Sequence, residues 1–157
     1  MEQPVRIFIG YDEAEVVAYH TLAHSILEKA SIPVSITPVM LSQLGDCYSR
    51  PVDPLASTQF SFSRFLVPYL AGFEGWAIFM DCDMLCREDV ALLWQERDPE
   101  FALKVVKHEH KPTSKVKFNA NVQTRYAKKN WSSVMLMNCG RCTALTAEYV
   151  NNASGLE

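Results

Sequence analysis

The sequence predicts one α/β domain built on a largely parallel sheet, and three stretches carry this prediction. Residues 5–9 are a short β-prone run ended by Gly10, and the apolar residues that follow Asp12 recur at helical spacing until the chain nears Pro33. Residues 34–40 supply the next strand. A strand, a helix and a strand in succession imply a right-handed crossover between parallel strands. Residues 76–80 are a third apolar run, typical of a buried strand.

The other elements are predicted from turn formers and apolar spacing. Residues 41–56 carry turn formers and little periodicity, which indicates an irregular connection at the rim of the sheet. Residues 57–70 predict a helix that turns Phe62, Phe65, Leu66 and Tyr69 toward the core, with a distortion at Pro68. After it we expect a short helix or turn at 88–94, a strand at 101–106, a final buried strand at 132–138 and a helix from residue 146 onward.

Composition excludes several classes of function. The chain has 157 residues, enough for one domain with a real core, and its net charge of −3 favours neither a nucleic-acid binder nor a membrane-surface protein. No apolar run approaches the roughly 20 residues of a membrane span, and we expect a cytoplasmic protein because residues 5–9 are too short for a signal peptide. The five cysteines are odd in number and form no disulfide framework, so reduced thiols are expected.

The strand at 76–80 ends in Asp81-Cys82-Asp83, which is the strongest chemical signal in the chain. Side chains alternate along a strand, so Asp81 and Asp83 emerge on one face and Cys82 on the other. Two carboxylates on one face repel each other unless a positive charge lies between them. Because the ligands are oxygens alone, the sequence predicts Mg²⁺ or Mn²⁺ rather than zinc.

Three further features leave alternatives open. Asp12, with Glu15 three residues later, has the form of a capping box, although the turn it occupies lies where open α/β sheets bind ligands. Arg64 is equally compatible with a surface arginine lying along apolar neighbours and with a side chain that grips a phosphate beneath the aspartates. Residues 104–129 are rich in lysine and arginine, as a solvated loop is, but would also attract a diphosphate.

Two classes of enzyme use a strand that ends in Asp-x-Asp. In phosphatases of the haloacid-dehalogenase type the first aspartate is a nucleophile and the motif continues to a threonine or valine, where this chain has Leu85. That motif lies on an early strand and is followed by an acidic pair, which this chain does not offer after residue 100. In nucleotide-sugar transferases of the GT-A type the motif follows an N-terminal βαβ half, as it does here.

Four stretches, in the expected order, resemble the bacterial glycosyltransferases related to family 8, the retaining group that includes glycogenin and the lipopolysaccharide galactosyltransferases. They are residues 7–12, 62–65, 78–83 and 129–139. The resemblance implies a GT-A-like three-layer α/β fold with a mostly parallel mixed sheet. It also implies transfer of a hexosyl unit from a UDP- or GDP-sugar, with retention at the anomeric carbon, to a glycan, lipid or protein acceptor.

The resemblance implies roles for the matching residues. Tyr11 and Asp12 would contact the base and ribose, and Arg64 the diphosphate or sugar of the donor. Asp81 would contact the ribose and the Mn²⁺ or Mg²⁺ ion, and Asp83 would ligate that ion. The remaining two positions, Ser132 and Ser133, would lie near the donor sugar or the acceptor cleft. No catalytic nucleophile is implied.

Members of this family are longer, and their further part supplies another metal ligand, usually a histidine. His108 and His110 precede the last predicted strand and are therefore poor substitutes. Residues 1–157 are accordingly expected to be a single nucleotide-sugar-binding domain without the C-terminal part of the family fold. An open edge left there would favour a homodimer, and a non-catalytic nucleotide-binding or assembly module is the alternative.

Overall fold

A five-stranded mixed sheet forms the centre of the protein in the computed structural model, which describes residues 3–52, 56, 58–107 and 131–154. Its strands lie in the order β2-β1-β3-β5-β4. Strand β1 pairs in parallel with β2 and β3, whereas β5 runs antiparallel to β3 and β4. The bounds are β1 Val5–Gly10, β2 Val34–Val39, β3 Trp76–Met80, β4 Leu103–Val105 and β5 Val134–Asn138. The predicted α/β fold with a mostly parallel mixed sheet is confirmed.

The central strands are covered on both faces. Ile7, Phe8 and Ile9 in β1, and residues 77–80 in β3, are at most 7% exposed. Successive strand residues point to opposite faces, so burial of consecutive residues requires a layer on each side of the sheet. Strand β2 borders the sheet and alternates instead, with Ser35 and Thr37 exposed.

The described residues contain four α-helices: α1 Val16–Lys29, α2 Val67–Leu70, α3 Val90–Gln95 and α4 Ala147–Asn152. Helix α1 buries Tyr19, Leu22 and Ile26, which recur at the spacing of one helical face. Asp89 and Thr146 cap α3 and α4 by accepting from backbone N–H groups in the first turn. The helices expected near residue 90 and after residue 146 are therefore confirmed. None of the described helices is long and apolar enough to cross a bilayer.

The helix predicted over residues 57–70 is wrong as a single element. Residues 58–62 form turns, a 3-10 turn spans Ser63–Leu66, and only then does α2 begin. The Ser61 hydroxyl and N–H both bond to the Thr58 carbonyl, which gives this backbone a local alternative to helical bonds. Pro68 lies in the first turn of α2, where its missing N–H costs no helical bond, and Tyr69 is 40% exposed rather than in the core.

Two predictions fall outside the described residues in whole or in large part. His108 and His110 lie there, as does most of the basic stretch, of which Lys104 and Lys107 are described.

All five cysteines are unbridged, and Cys82, Cys139 and Cys142 among them are buried.

Candidate functional site

The carboxyl ends of β1 and β3 lie side by side, because Ile9 pairs with Met80 in a parallel ladder. The two segments that leave the sheet there are Tyr11-Asp12 and Asp81-Cys82-Asp83. In open α/β sheets ligands bind outside the carboxyl ends of the strands. The fold thus brings the two predicted halves of the site to one edge of the sheet.

Arg64 is buried at this edge, and its guanidinium faces Asp81. The Arg64 Nη1 atom lies 2.8 Å from Asp81 Oδ1, and the two side chains are 9% and 17% exposed. The same Nη1 donates to the Ser132 carbonyl at 3.0 Å and to the Ser132 hydroxyl at 3.2 Å, while Nε donates to the Phe60 carbonyl at 3.3 Å. The interpretation of Arg64 as a surface arginine is therefore wrong, since its neighbours enclose it.

Aromatic packing holds Arg64 in place. The guanidinium carbon lies 5.2 Å from the ring centres of both Phe60 and Phe79, within the range of a cation–π contact. The Phe60 ring in turn lies directly on Gly10: a Cβ atom at Gly10 would come within 2.4 Å of the Phe60 Cδ2 atom. Gly10 therefore ends β1 without a side chain because the ring beneath Arg64 occupies that space.

Asp81 is an unusually weak acid. Burial raises the pKa of its carboxyl to about 6, although Arg64 and the Ser133 side chain act in the opposite direction. The contact with Arg64 has the distance of an ion pair and lacks hydrogen-bond geometry at Oδ1, so it compensates for burial incompletely. The Asp81 N–H donates to the Ser133 carbonyl at 2.9 Å, which ties the end of β3 to the segment before β5.

Four predicted site residues thus form one cluster: Arg64, Asp81, Ser132 and Ser133. Asp83 is exposed beyond them, while Cys82 between the two aspartates is fully buried, in a bend at residues 82–83 that follows the end of β3. The two carboxylates supply oxygen donors of the type that Mg²⁺ and Mn²⁺ prefer. Within the described ranges no group of three histidine, cysteine or acidic side chains is placed to hold a metal ion, and metal binding by Asp81 and Asp83 stays a prediction.

Asp12 has a structural role that was predicted and a second one that was not. Its side chain is 8% exposed, and Oδ1 accepts from the Ala14 N–H at 2.9 Å, capping the 3-10 turn Glu13–Glu15 that leads into α1. Its Oδ2 accepts from the Gln59 N–H at 2.9 Å and so tethers the turn that carries Phe60. The contact of Asp12 with a nucleotide stays a prediction.

Tyr11, next to Asp12, is half-buried at the same edge. Its ring meets Tyr19 of α1 edge-on with centres 5.3 Å apart, and its N–H donates to the Val39 carbonyl. An aromatic face at this point could stack on a base, and that role also stays a prediction.

The sequence interpretation missed a contact between Glu15 and Cys82. The Cys82 thiol donates to Glu15 Oε2 at 3.1 Å, and burial together with this carboxylate raises the pKa of the thiol. Glu15 therefore does not complete the capping box through its side chain in the predicted way. The alternation predicted for residues 81–83 was the available signal, because it directs the thiol away from the face of the aspartates.

Comparison with known proteins decides the fold. The chain superposes on the WbbM bifunctional glycosyltransferase in its apo form with a TM-score of 0.59, at 12% identity, over 96% of this chain and 34% of that one. The glycosyltransferase GlyE of Streptococcus pneumoniae TIGR4, in its apo form, gives a TM-score of 0.55 at 16% identity over 91% of this chain and 36% of that one. The fold is that of a GT-A-type glycosyltransferase.

Sequence comparison finds a relative of this chain in a plant. The chain is 44% identical over 158 aligned positions to Protein CDI of Arabidopsis thaliana, and the match covers 98% of this chain and 61% of that protein. The chain thus spans less than two thirds of this curated relative. No protein-family model matches this chain.

Proposed function

We propose that this chain binds the donor of a metal-dependent, retaining glycosyltransferase related to family 8. It would take a nucleotide-diphosphate sugar and transfer the hexosyl unit to a glycan, lipid or protein acceptor. The observation that carries the proposal is the convergence of Arg64, Asp81, Ser132 and Ser133 at the carboxyl edge of β3, beside Tyr11 and Asp12. The glycosyltransferase fold supports it.

The positions of these residues support a proposed assignment to two parts of a donor. Tyr11 and Asp12, at the end of β1, would face the nucleoside, while Asp81 at the end of β3 would face the ribose and the cation. Arg64 and the two serines lie next to Asp81 and would border the diphosphate and the sugar. This order along the sheet edge follows the order of groups in a sugar nucleotide.

Asp81 and Asp83 would hold a Mn²⁺ or Mg²⁺ ion, whose charge would stabilise the diphosphate leaving group. In the transfer, the bond between the anomeric carbon and the diphosphate oxygen breaks and a bond to an acceptor hydroxyl oxygen forms, with loss of the hydroxyl proton. This chain's own contribution is to bind and orient the donor. Arg64 would hold Asp81 in place through the ion pair, and the Phe60 and Phe79 rings pack beside the Arg64 guanidinium.

Calorimetry with UDP, GDP and their sugars, each with and without Mn²⁺, tests the proposal and identifies the nucleotide. We expect one nucleotide to bind in a Mn²⁺-dependent manner. Binding followed by release of the nucleoside diphosphate in the presence of an acceptor would establish transfer, and binding without turnover would favour the non-catalytic module. Hydrolysis of a small phosphomonoester that depends on Asp81 would favour the phosphatase instead.

A further inference from the structure

The buried thiol of Cys82, between the two aspartates, differs from the other cysteine thiols in its hydrogen-bond acceptor. Cys82 donates to the Glu15 carboxylate at 3.1 Å. The other four cysteine thiols donate to backbone carbonyls: three bond to a residue at most 3 positions away in the sequence, and Cys142 bonds to Ala102. Cys82 is therefore distinguished by a side-chain acceptor on a different element, the 3-10 turn Glu13–Glu15.

Glu15 is itself held by Asp12, at the end of β1. Its N–H donates to the Asp12 carbonyl at 2.9 Å, and the Asp12 carboxylate holds the N–H groups of Ala14 and Gln59. A continuous series of hydrogen bonds thus runs from Gln59 through Asp12 and Glu15 to Cys82. It connects the end of β1 to the middle residue of the acidic segment.

Cys82 lies between the two carboxylates, in a bend at residues 82–83 that follows β3. Anchoring the Cys82 side chain restrains the backbone on both sides of it, and with it the positions of Asp81 and Asp83. Asp81 is also anchored on its other side by Arg64, but Asp83 is exposed. In the described part of the chain, the Glu15–Cys82 bond joins this segment to a separate element one residue before Asp83, and the bond from the Cys86 N–H to the Ser25 hydroxyl does so three residues after it.

We propose that Glu15 and Cys82 are a positioning pair that holds Asp81 and Asp83 in the direction required to bind a divalent cation. The inference rests on the proposed function, since it concerns the same cation. It adds two residues that neither family resemblance nor residue spacing assigns to the site. Outer-shell partners usually orient a metal site by bonding to the ligands themselves. Here the pair would act one residue away, through the backbone that joins the two aspartates.

The test measures Mn²⁺ affinity in the presence of UDP by calorimetry, for the whole chain and a set of single variants. We expect Glu15→Ala and Cys82→Ala each to raise the Kd of Mn²⁺ about tenfold, the low end for loss of an outer-shell partner. Cys82→Ser keeps a donor and Glu15→Gln keeps an acceptor, so both should retain an affinity close to that of the wild type. Glu13→Ala is the matched control, because Glu13 is an exposed acidic residue on the same turn.

The double variant Glu15→Ala/Cys82→Ala separates positioning from independent effects. If the two residues act as a pair, it should be no weaker than either single variant, whereas additive losses would overturn the inference. Glu15→Gln as weak as Glu15→Ala would also overturn it, because charge rather than the hydrogen bond would then be responsible.

A second readout does not depend on binding. Amide hydrogen exchange across residues 80–84 should accelerate in Glu15→Ala and Cys82→Ala and stay unchanged in Glu13→Ala. If the wild type does not bind Mn²⁺ with UDP, or with GDP, the proposed function fails. Accelerated exchange would even then support the positioning pair, and unchanged exchange would refute it.

Discussion

Arg64 Nη1 lies 2.8 Å from Asp81 Oδ1, and neither side chain is more than 17% exposed. The pair joins three separate segments, because Arg64 belongs to the 3-10 turn Ser63–Leu66, Asp81 follows β3, and Ser132 in the turn before β5 shares the same guanidinium nitrogen. These segments are distant in the sequence. Arg64 therefore connects the segments that form the candidate site, in addition to lining it.

Removal of Arg64 should affect both stability and binding. Arg64→Ala leaves the buried Asp81 carboxylate without its countercharge, so we expect the free energy of unfolding at neutral pH to fall by about 3 kcal/mol in urea titrations. If Arg64 also contacts the donor, diphosphate affinity should fall by about 1.5–3 kcal/mol, as for loss of a charge-assisted hydrogen bond.

Two variants give this prediction its controls. Arg64→Ala/Asp81→Asn should recover part of the lost stability, because the unpaired buried charge is gone. Arg97→Ala removes an exposed arginine that packs on Trp94, and should change neither quantity appreciably. An Arg64→Ala protein as stable as the wild type would show that the ion pair contributes little.

Because the pKa of Asp81 is raised in the folded state, we expect the protein without divalent cations to be more stable at acidic than at neutral pH. Burial raises that pKa from 3.8 to about 6 in the folded state, so the folded chain holds more protons than the unfolded chain between these values. The free energy of unfolding should therefore decrease as the pH rises through this window, by up to about 3 kcal/mol, and level off above it. Subtracting the urea-derived pH profile of Asp81→Asn from that of the wild type isolates this contribution, and a flat difference would contradict it.

Gly10 should tolerate no side chain. The Cβ atom of Gly10→Ala would overlap the Phe60 ring, and we expect a loss of about 1–3 kcal/mol in the free energy of unfolding, typical of overpacking. Phe60→Leu in the same background should restore part of the loss. Gly140→Ala is a suitable control, because its Cβ would come no closer than 3.4 Å to a neighbouring atom.

Much of the fold was predictable because it depends on local apolar patterns. The strand at residues 76–80, the first βα unit and the caps at Asp12 and Thr146 follow from spacing and capping chemistry. The helix over 57–70 was not predictable in its true form. Its N-terminal half is held by turns and by the bond from Gln59 to Asp12, which joins residues far apart in the sequence.

The sequence predicted several residues that lie together at this edge of the sheet, but not the contacts between them. The motif that contains Asp81 and Asp83 is visible in the sequence, whereas the ion pair with Arg64 depends on how the turn 60–66 docks against β3. The Glu15–Cys82 contact was hidden because Glu15 also matches a capping box. Contacts between distant segments depend on tertiary packing, which periodicity does not encode.

The central claim is that a cation held by Asp81 and Asp83 bridges the chain to a nucleoside diphosphate. Calorimetric titration of UDP and GDP into the wild type and Asp83→Asn, each with and without Mn²⁺, tests it most directly, with Asp98→Asn as a control on a carboxylate outside the site. We predict that Mn²⁺ strengthens nucleotide binding by the wild type and Asp98→Asn, and that Asp83→Asn loses this enhancement. Nucleotide binding that needs no Mn²⁺ and is unchanged in Asp83→Asn would contradict the account.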